Sequence, residues 1–116
     1  MRTDAQCDEL FVYGSLMEPD LRRRLLGREV SAQRAYLRDF EHRRADYFYV
    51  VRQPGATVEG LVLGALSPGE FSALDRYEEV PRLYTREQLA IHSVDGRPRR
   101  AWIYLPTSLL LARTLA

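Results

Sequence analysis

One glutamate of this sequence stands where acid–base chemistry is possible. Residues 67–77 predict a helix, and at 100° per residue Glu78 lies within about 20° of Phe71, on the apolar stripe. Burial of a carboxylate raises its pKa, and the neighbouring charges of Asp75 and Glu79 are expected to act in the same direction. A carboxyl group that titrates near neutrality suits general acid–base catalysis. A solvated glutamate at a frayed helix end is the alternative.

A second feature is the turn formed by Tyr13, Gly14, Ser15 and Leu16. It follows a short apolar run and precedes a predicted helix, so its backbone N–H groups are exposed to a ligand. Such N–H groups suit a carboxylate or a phosphate. The turn is not a P-loop, because it lacks the spacing and the lysine, and it has no G-x-G-x-x-G pattern. An ordinary strand-to-helix turn is the alternative.

Other reactive side chains are weaker candidates. A serine hydrolase built on Ser15 with His42 or His92 lacks the G-x-S-x-G elbow. The two histidines are 50 positions apart with no HExxH pattern, so no metal site is predicted. Cys7 has no partner nearby in the sequence and is expected to be a surface or partly packed thiol.

The composition excludes several kinds of chemistry. All 17 basic residues are arginines, so lysine Schiff-base catalysis is impossible, and the absence of asparagine excludes a Cys-His-Asn triad. The formal net charge is only +1. The arginine runs at residues 22–24 and 97–100 are therefore interpreted as solvated faces, and no nucleic-acid partner is predicted.

Strands and two short helices must position these candidate residues. A capping box, Ser67-Pro-Gly-Glu70, begins the second helix, Pro54-Gly55 predicts a turn, and Asp95-Gly96 predicts a hairpin. The predicted strands are Glu9–Tyr13, Val30–Tyr36, Tyr47–Arg52, Thr57–Leu63, Tyr84–His92 and Arg97–Tyr104, and the first helix is Pro19–Leu26.

This pattern predicts an α+β fold with a mixed, strongly curled sheet. We expect one domain over residues 1–116, with its core at about 9–105 and the apolar tail Leu109–Leu111 covering one face. The polar N-terminal stretch resembles no signal peptide, and the longest apolar run near the C-terminus is far shorter than the ~20 residues of a membrane span. A cytoplasmic location without membrane association is therefore expected.

Two motifs together resemble the γ-glutamylcyclotransferase-like superfamily: Leu10-Phe-Val-Tyr-Gly-Ser-Leu16 and, about sixty residues later, Leu74-Asp-Arg-Tyr-Glu78. The continuation Glu-Glu-Val-Pro-Arg-Leu-Tyr-Thr-Arg86 is similar to the branch that contains γ-glutamylamine cyclotransferase and the plant AIG2-like proteins. The resemblance extends from about Leu10 to Leu105. The family often has glycine after the catalytic glutamate, where this chain has Glu79, which puts the identity of the substrate in question.

The resemblance implies a small mixed β-barrel with short peripheral helices and a cavity at its mouth. It implies that Glu78 is the catalytic acid/base and that the turn from Tyr13 to Leu16 holds a glutamyl group through its backbone amides. Tyr104 is expected to line the pocket. The implied reaction cleaves a γ-glutamyl amide to 5-oxoproline and a free amine, with no cofactor and no metal.

Two other functions remain open at this stage. The same pocket could bind a small carboxylate or a protein partner without catalysis, or water could replace the internal amine, as in an amidotransferase-type hydrolase. A small γ-glutamyl compound is the expected partner of the enzyme. The leaving amine, the oxyanion stabiliser and the oligomeric state are not predicted by the sequence.

Overall fold

The computed structural model describes residues 7–115 of the chain. The elements in this range are β1 (Leu10–Val12), a 3₁₀ turn (Ser15–Met17), α1 (Pro19–Leu26), β2 (Ser31–Arg44), β3 (Phe48–Gly64), α2 (Pro68–Tyr77), β4 (Tyr84–Ser93), β5 (Pro98–Pro106) and α3 (Ser108–Leu115). The predicted bounds of α1 and the predicted end of α2 are confirmed. The polar stretch before residue 7, on which the expectation of no signal peptide depends, lies outside the described residues.

The five strands of this range close into a barrel in the order β1-β3-β2-β4-β5. The β1–β5 pair is parallel, with Leu10 opposite Trp102, and the other four pairs are antiparallel. The short helices lie outside the barrel. The prediction of a small mixed β-barrel with short peripheral helices is confirmed.

Strand β1 is buried on both faces, which explains why its sequence is a continuous apolar run. Phe11 belongs to a cluster supplied almost entirely by strand residues, which fills the barrel. Leu10 and Val12 belong to a second cluster that includes residues from the helices. A Cβ atom at Gly60 would lie 2.3 Å from the Val12 carbonyl oxygen, so this close approach of β3 to β1 requires glycine.

The predicted turn at Pro54-Gly55 is wrong. These residues lie within one continuous strand, β3, where a bulge places Asp39 of β2 opposite residues 53–56. Gly55 adopts the left-handed conformation with φ of 85°, and its N–H donates to Asp39 Oδ1 over 3.0 Å. Proline and glycine therefore mark a bulge in the ladder, not a chain reversal.

The capping box of α2 is confirmed. The Glu70 N–H donates to Ser67 Oγ over 3.1 Å, and the Ser67 N–H donates to Glu70 Oε1 over 3.0 Å. Arg28 adds an ion pair to Glu70 at 2.8 Å, which ties the segment after α1 to the start of α2. These contacts fix the N-terminal end of α2. Its C-terminal end lies at the mouth of the barrel.

The C-terminal apolar tail covers the core as expected, although the helix that carries it was not predicted. Leu110 of α3 is fully buried in the cluster between the barrel and the helices. The Asp95-Gly96 hairpin between β4 and β5 is also confirmed, with the Gly96 N–H donating to the Ser93 carbonyl over 2.8 Å. No helix within residues 7–115 is long and apolar enough to span a membrane.

Candidate active site

A cavity of about 370 Å³ opens at the mouth of the barrel, beyond the end of β1. Three segments converge there: the turn after β1, the tip of the β2–β3 hairpin and the C-terminal end of α2. The lining residues are Phe11, Val12, Tyr13, Gly14, Ser15, Leu16, Asp46, Tyr47, Phe48, Tyr77, Glu78, Glu79, Leu83, Tyr84 and Tyr104. The six residues predicted for the site therefore all line this cavity. They are Glu78, Tyr13, Gly14, Ser15, Leu16 and Tyr104.

Glu78 directly follows the last residue of α2 and keeps helical dihedral angles, φ −81° and ψ −2°. Its N–H donates to the Leu74 carbonyl over 2.9 Å, so the helix holds Glu78 on its inward side as the spacing predicts. No group of residues 7–115 donates a hydrogen bond to its carboxylate. Burial raises the pKa of Glu78 to about 7. The carboxyl group can therefore both accept and return a proton near neutral pH.

The expected contribution of the neighbouring acids to this shift is wrong, because burial alone is its cause. Asp75 is engaged by Arg86, whose Nε lies 2.9 Å from Asp75 Oδ1, and by the Tyr104 hydroxyl at 2.7 Å. Glu79 forms an ion pair with Arg82. Each neighbour thus has its own cationic partner.

Glu79 occupies the position where the family that the sequence resembles often has glycine. Its φ is 56°, in the left-handed region that glycine adopts without strain, and a non-glycine residue there costs about 1–2 kcal/mol. Because the backbone turns sharply at this residue, the helical conformation does not continue beyond Glu78, the C-terminal cap of α2. Glu79 itself lies on the cavity wall, with its carboxylate held by Arg82 at the rim.

The turn after β1 lines the cavity and contains backbone donors that have no partner within the turn. The Met17 N–H donates to the Gly14 carbonyl over 3.0 Å, and the Glu18 N–H donates to the Ser15 carbonyl over 3.1 Å. These bonds leave the N–H groups of Ser15 and Leu16 unused within the turn, as at the start of any helical turn. A Cβ atom at Gly14 would lie only 2.8 Å from Phe48 Cβ, so glycine is required for the turn to pack against the hairpin tip.

Three tyrosines of the cavity donate their protons away from it. The Tyr13 hydroxyl donates to the Tyr104 carbonyl and the Tyr84 hydroxyl to the Phe48 carbonyl, each over 2.6 Å. The Tyr104 hydroxyl donates to Asp75. Burial is the main cause that raises the pKa of all three phenols, and the nearby Glu78 charge adds to it. They stay neutral, and Tyr104 has no free proton to offer an oxyanion.

The weaker candidates of the sequence do not form a second site. Ser15 Oγ lies 3.1 Å from Tyr77 Oη, and neither His42 nor His92 lines the cavity. His42 instead packs its ring edge-on against Tyr13, with ring centroids 5.5 Å apart. Cys7 is a partly buried free thiol. Within residues 7–115 no three histidine, cysteine or acidic side chains come together as metal ligands.

Several lining residues were missed from the sequence. The hairpin tip at residues 46–48 reaches the cavity only because the long β2–β3 ribbon extends to the turn after β1, which no local spacing shows. Tyr77 precedes Glu78 directly but was not assigned. Tyr84 had a usable signal, since it lies in the Pro-x-Leu-Tyr stretch that supports the family resemblance.

Comparisons with known proteins agree with this architecture. A profile of the family described as "Gamma-glutamyl cyclotransferase, AIG2-like" matches residues 10–114. Over 99 residues the chain is 28% identical to a Methanocaldococcus jannaschii protein described as a gamma-glutamylcyclotransferase and putative RNase. That alignment covers 83% of this chain and 45% of the relative, so the chain spans less than half the length of this curated protein.

Solved structures share the fold. A solution structure of an Arabidopsis thaliana protein superposes with a TM-score of 0.80 at 26% identity, covering 92% of this chain and 73% of the other. The crystal structure of an AIG2-like protein from Mus musculus gives a TM-score of 0.67 at 20% identity, covering 93% and 82% of the two chains.

Proposed function

Because this chain belongs to the gamma-glutamyl cyclotransferase, AIG2-like family, we propose that it is a cofactor-independent γ-glutamyl cyclotransferase. The reaction cleaves a γ-glutamyl amide to 5-oxoproline and a free amine, with Glu78 as general acid/base. The observation that carries this proposal is a half-buried glutamate with a pKa of about 7, facing a cavity of about 370 Å³. A purely structural role would give Glu78 a partner, and no described group donates a hydrogen bond to it.

Binding of the glutamyl group uses the two kinds of polar group in the cavity. The unused N–H groups of Ser15 and Leu16 bind the α-carboxylate. The carboxylate of Glu78 and the phenol oxygens of Tyr13 and Tyr84 accept hydrogen bonds, since both phenol protons already go to backbone carbonyls. These acceptors suit the α-ammonium group. Both charged groups on the α-carbon of the glutamyl group are thereby held.

The chemical step needs no protein nucleophile. Glu78 takes a proton from the α-ammonium group, and the freed nitrogen lone pair attacks the γ-carbonyl carbon of the same molecule. The new C–N bond closes the five-membered ring as the original amide C–N bond breaks. Glu78 returns the first proton to the departing nitrogen and then transfers the second proton of the ring nitrogen to it, so that the amine leaves as an ammonium ion and the lactam nitrogen keeps one hydrogen. The numbers of atoms and electrons balance without water or a cofactor.

Two effects supply most of the expected acceleration. Holding the α-amine against the γ-carbonyl makes attack an oriented intramolecular event, which is worth up to about 7–11 kcal/mol. Proton transfer by Glu78 contributes about 10²–10⁴-fold in rate. The cavity therefore acts mainly by folding the glutamyl arm, and Glu78 makes the amine reactive while it is folded.

The product identifies the reaction. Incubation of the protein with a panel of γ-glutamyl amides, followed by mass spectrometry, is expected to give 5-oxoproline and amine in equal amounts. The same amides with an acetylated α-amine are the matched control and are expected to remain intact, because they lack the internal nucleophile. Free glutamate in place of 5-oxoproline would instead establish a hydrolase and would contradict the cyclotransferase proposal.

A further inference from the structure

Arg22 of α1 is buried, contrary to the interpretation of residues 22–24 as a solvated face. Its exposed fraction is 8%, and no other charged residue within residues 7–115 is as buried. Its guanidinium Nη1 donates to two backbone carbonyls, those of Leu16 and Met17, each over 2.9 Å. Both carbonyls belong to the 3₁₀ turn beside the cavity. Arg22 is thus attached to the carbonyl groups of the turn and does not itself line the cavity.

This burial is unfavourable in isolation. A buried charge is stabilised by an opposite charge, and none of the described carboxylates lies in ion-pair distance of Arg22. Desolvation is the main cause that lowers the pKa of Arg22. The charges of Glu18 and Glu29 act on Arg22 from beyond ion-pair distance. The two carbonyl oxygens are the only described hydrogen-bond partners of its guanidinium, so its direct contacts are with the backbone of the turn.

Two short chains of hydrogen-bonded peptide groups run from Arg22 to the cavity. In the first, Nη1 donates to the Leu16 carbonyl, and the N–H of the same peptide group, that of Met17, donates to the Gly14 carbonyl. The Gly14 carbonyl shares its peptide group with the Ser15 N–H. Hydrogen bonds in such a chain polarise one another, so the Ser15 N–H becomes a stronger donor.

The second chain is parallel to the first. Nη1 donates to the Met17 carbonyl, and the N–H of that peptide group, which belongs to Glu18, donates to the Ser15 carbonyl. The Ser15 carbonyl shares its peptide group with the Leu16 N–H. Both chains therefore begin at one buried cation and end at the N–H groups of Ser15 and Leu16, two residues that line the cavity.

We propose that Arg22 is a positioning residue that orients and polarises the Ser15 and Leu16 N–H groups for a carboxylate of the ligand. The inference rests on the proposed function, which places the glutamyl α-carboxylate at these two groups. Arg22 never touches the ligand. Arg22 fixes the Leu16 and Met17 carbonyl groups of the turn. Its positive charge thereby polarises the Ser15 and Leu16 N–H groups, although no cationic side chain enters the cavity.

Two lactams that differ only in the carboxylate test the inference. They are 5-oxoproline, which carries it, and 2-pyrrolidone, which does not. The wild type is expected to bind 5-oxoproline more tightly, as measured by NMR titration. In Arg22→Met the affinity for 5-oxoproline is expected to fall roughly tenfold, while the affinity for 2-pyrrolidone stays unchanged. Arg24→Met, an exposed position on the same helix, is the matched control and is expected to match the wild type.

The outcomes distinguish the carboxylate site, on which the proposed function depends, from the role of Arg22. A wild type that shows no preference for 5-oxoproline would remove the carboxylate site, and both the proposed function and this inference would fail. A wild-type preference that persists in Arg22→Met would overturn the role of Arg22 alone. An equal loss of affinity for both lactams would also overturn it, because that result indicates a damaged cavity. If Arg22→Met does not fold, Arg22→Gln is measured by the same criterion, since it removes the charge while keeping an N–H donor.

Discussion

The proposed reaction depends on a carboxyl group that the fold partly removes from water without giving it a counter-charge. Glu78 has a raised pKa because of burial, while its acidic neighbours Asp75 and Glu79 are each held by an arginine. An arginine beside Glu78 would have lowered its pKa and abolished its use as a base near neutrality. The pairing of the neighbours is therefore as important as the burial of Glu78 itself.

The rate of turnover should depend on the ionisation of Glu78. In the proposed mechanism the carboxylate form takes the proton from the substrate, so kcat/KM is expected to rise with pH through an acid limb at about 7. It should fall again at higher pH as the substrate α-ammonium group loses its proton. Measuring kcat/KM between about pH 3.5 and 9 checks this, and an acid limb near 4.5 would show that Glu78 is solvated in the free enzyme.

The same shift predicts a change in stability that needs no substrate. A folded-state pKa of about 7 against an ordinary value of 4.5 means that ionisation of Glu78 opposes folding. This penalty is absent below pH 4.5, grows as the pH rises, and is complete above 7. Glu78→Gln should therefore be more stable than the wild type by about 1–3 kcal/mol at pH 8 and equal to it at pH 4. Urea unfolding at both values measures the difference, and equal stabilities at pH 8 would contradict the burial.

At the scale of single residues, the sequence predicted the candidate base but not its supporting residues. The position of Glu78 follows from helical periodicity, which is a local property. The burial of Arg22 does not, because an arginine run has the same composition whether it faces water or the back of a turn. The pairing of Asp75 with Arg86 could not be predicted either, because it is a contact between a helix and a strand that local spacing does not show.

At the scale of the elements, the cavity forms where three segments of the chain meet. The turn after β1, the tip of the β2–β3 hairpin and the end of α2 contact one another through close approaches such as that of Gly14 to Phe48. Local signals such as the capping box of α2 and the Asp95-Gly96 hairpin predict these elements well. The Pro54-Gly55 bulge shows the limit, because bulge and turn use the same residue types and only the partner strand decides between them.

A side chain at Gly14 should separate the turn from the hairpin tip. In Gly14→Ala the new Cβ would lie 2.8 Å from Phe48 Cβ, so one segment must move. We expect a loss of about 1–3 kcal/mol of stability and a raised KM. Gly69→Ala in α2 is the control, since its Cβ would meet only Ser67 Oγ at 3.9 Å and should be neutral or stabilising. Thermal unfolding and steady-state kinetics of both variants measure this, and a wild-type KM in Gly14→Ala would contradict the packing.

At the scale of the whole molecule, a five-stranded barrel is closed by pairing β1 with β5 and covered by helices on one side. Composition and element order predicted the α+β class, and the family resemblance predicted the barrel. The strand order was not predicted, because it depends on contacts between residues far apart in the chain. Helix α3 was also missed, although the apolar character of the residues that it buries was recognised.

The cover that α3 provides should contribute to the stability of the entire domain fold. Leu110 is fully buried, whereas 43% of the surface of its neighbour Leu109 is exposed. Leu110→Ala is expected to lose about 2–5 kcal/mol in urea unfolding, and Leu109→Ala less than about 0.5 kcal/mol. A Leu110→Ala variant as stable as the wild type would show that α3 does not close the core.

The central claim is that Glu78 moves the proton in the cyclisation, and 5-oxoproline release by Glu78→Gln tests it most directly. Glutamine keeps the shape of the side chain and removes the base, so release from γ-glutamyl amides is expected to fall by about 10²–10⁴-fold. Glu79→Gln, the next residue and also on the cavity wall, is the matched control and should retain release within about tenfold. Near-wild-type release by a folded Glu78→Gln variant would contradict the account.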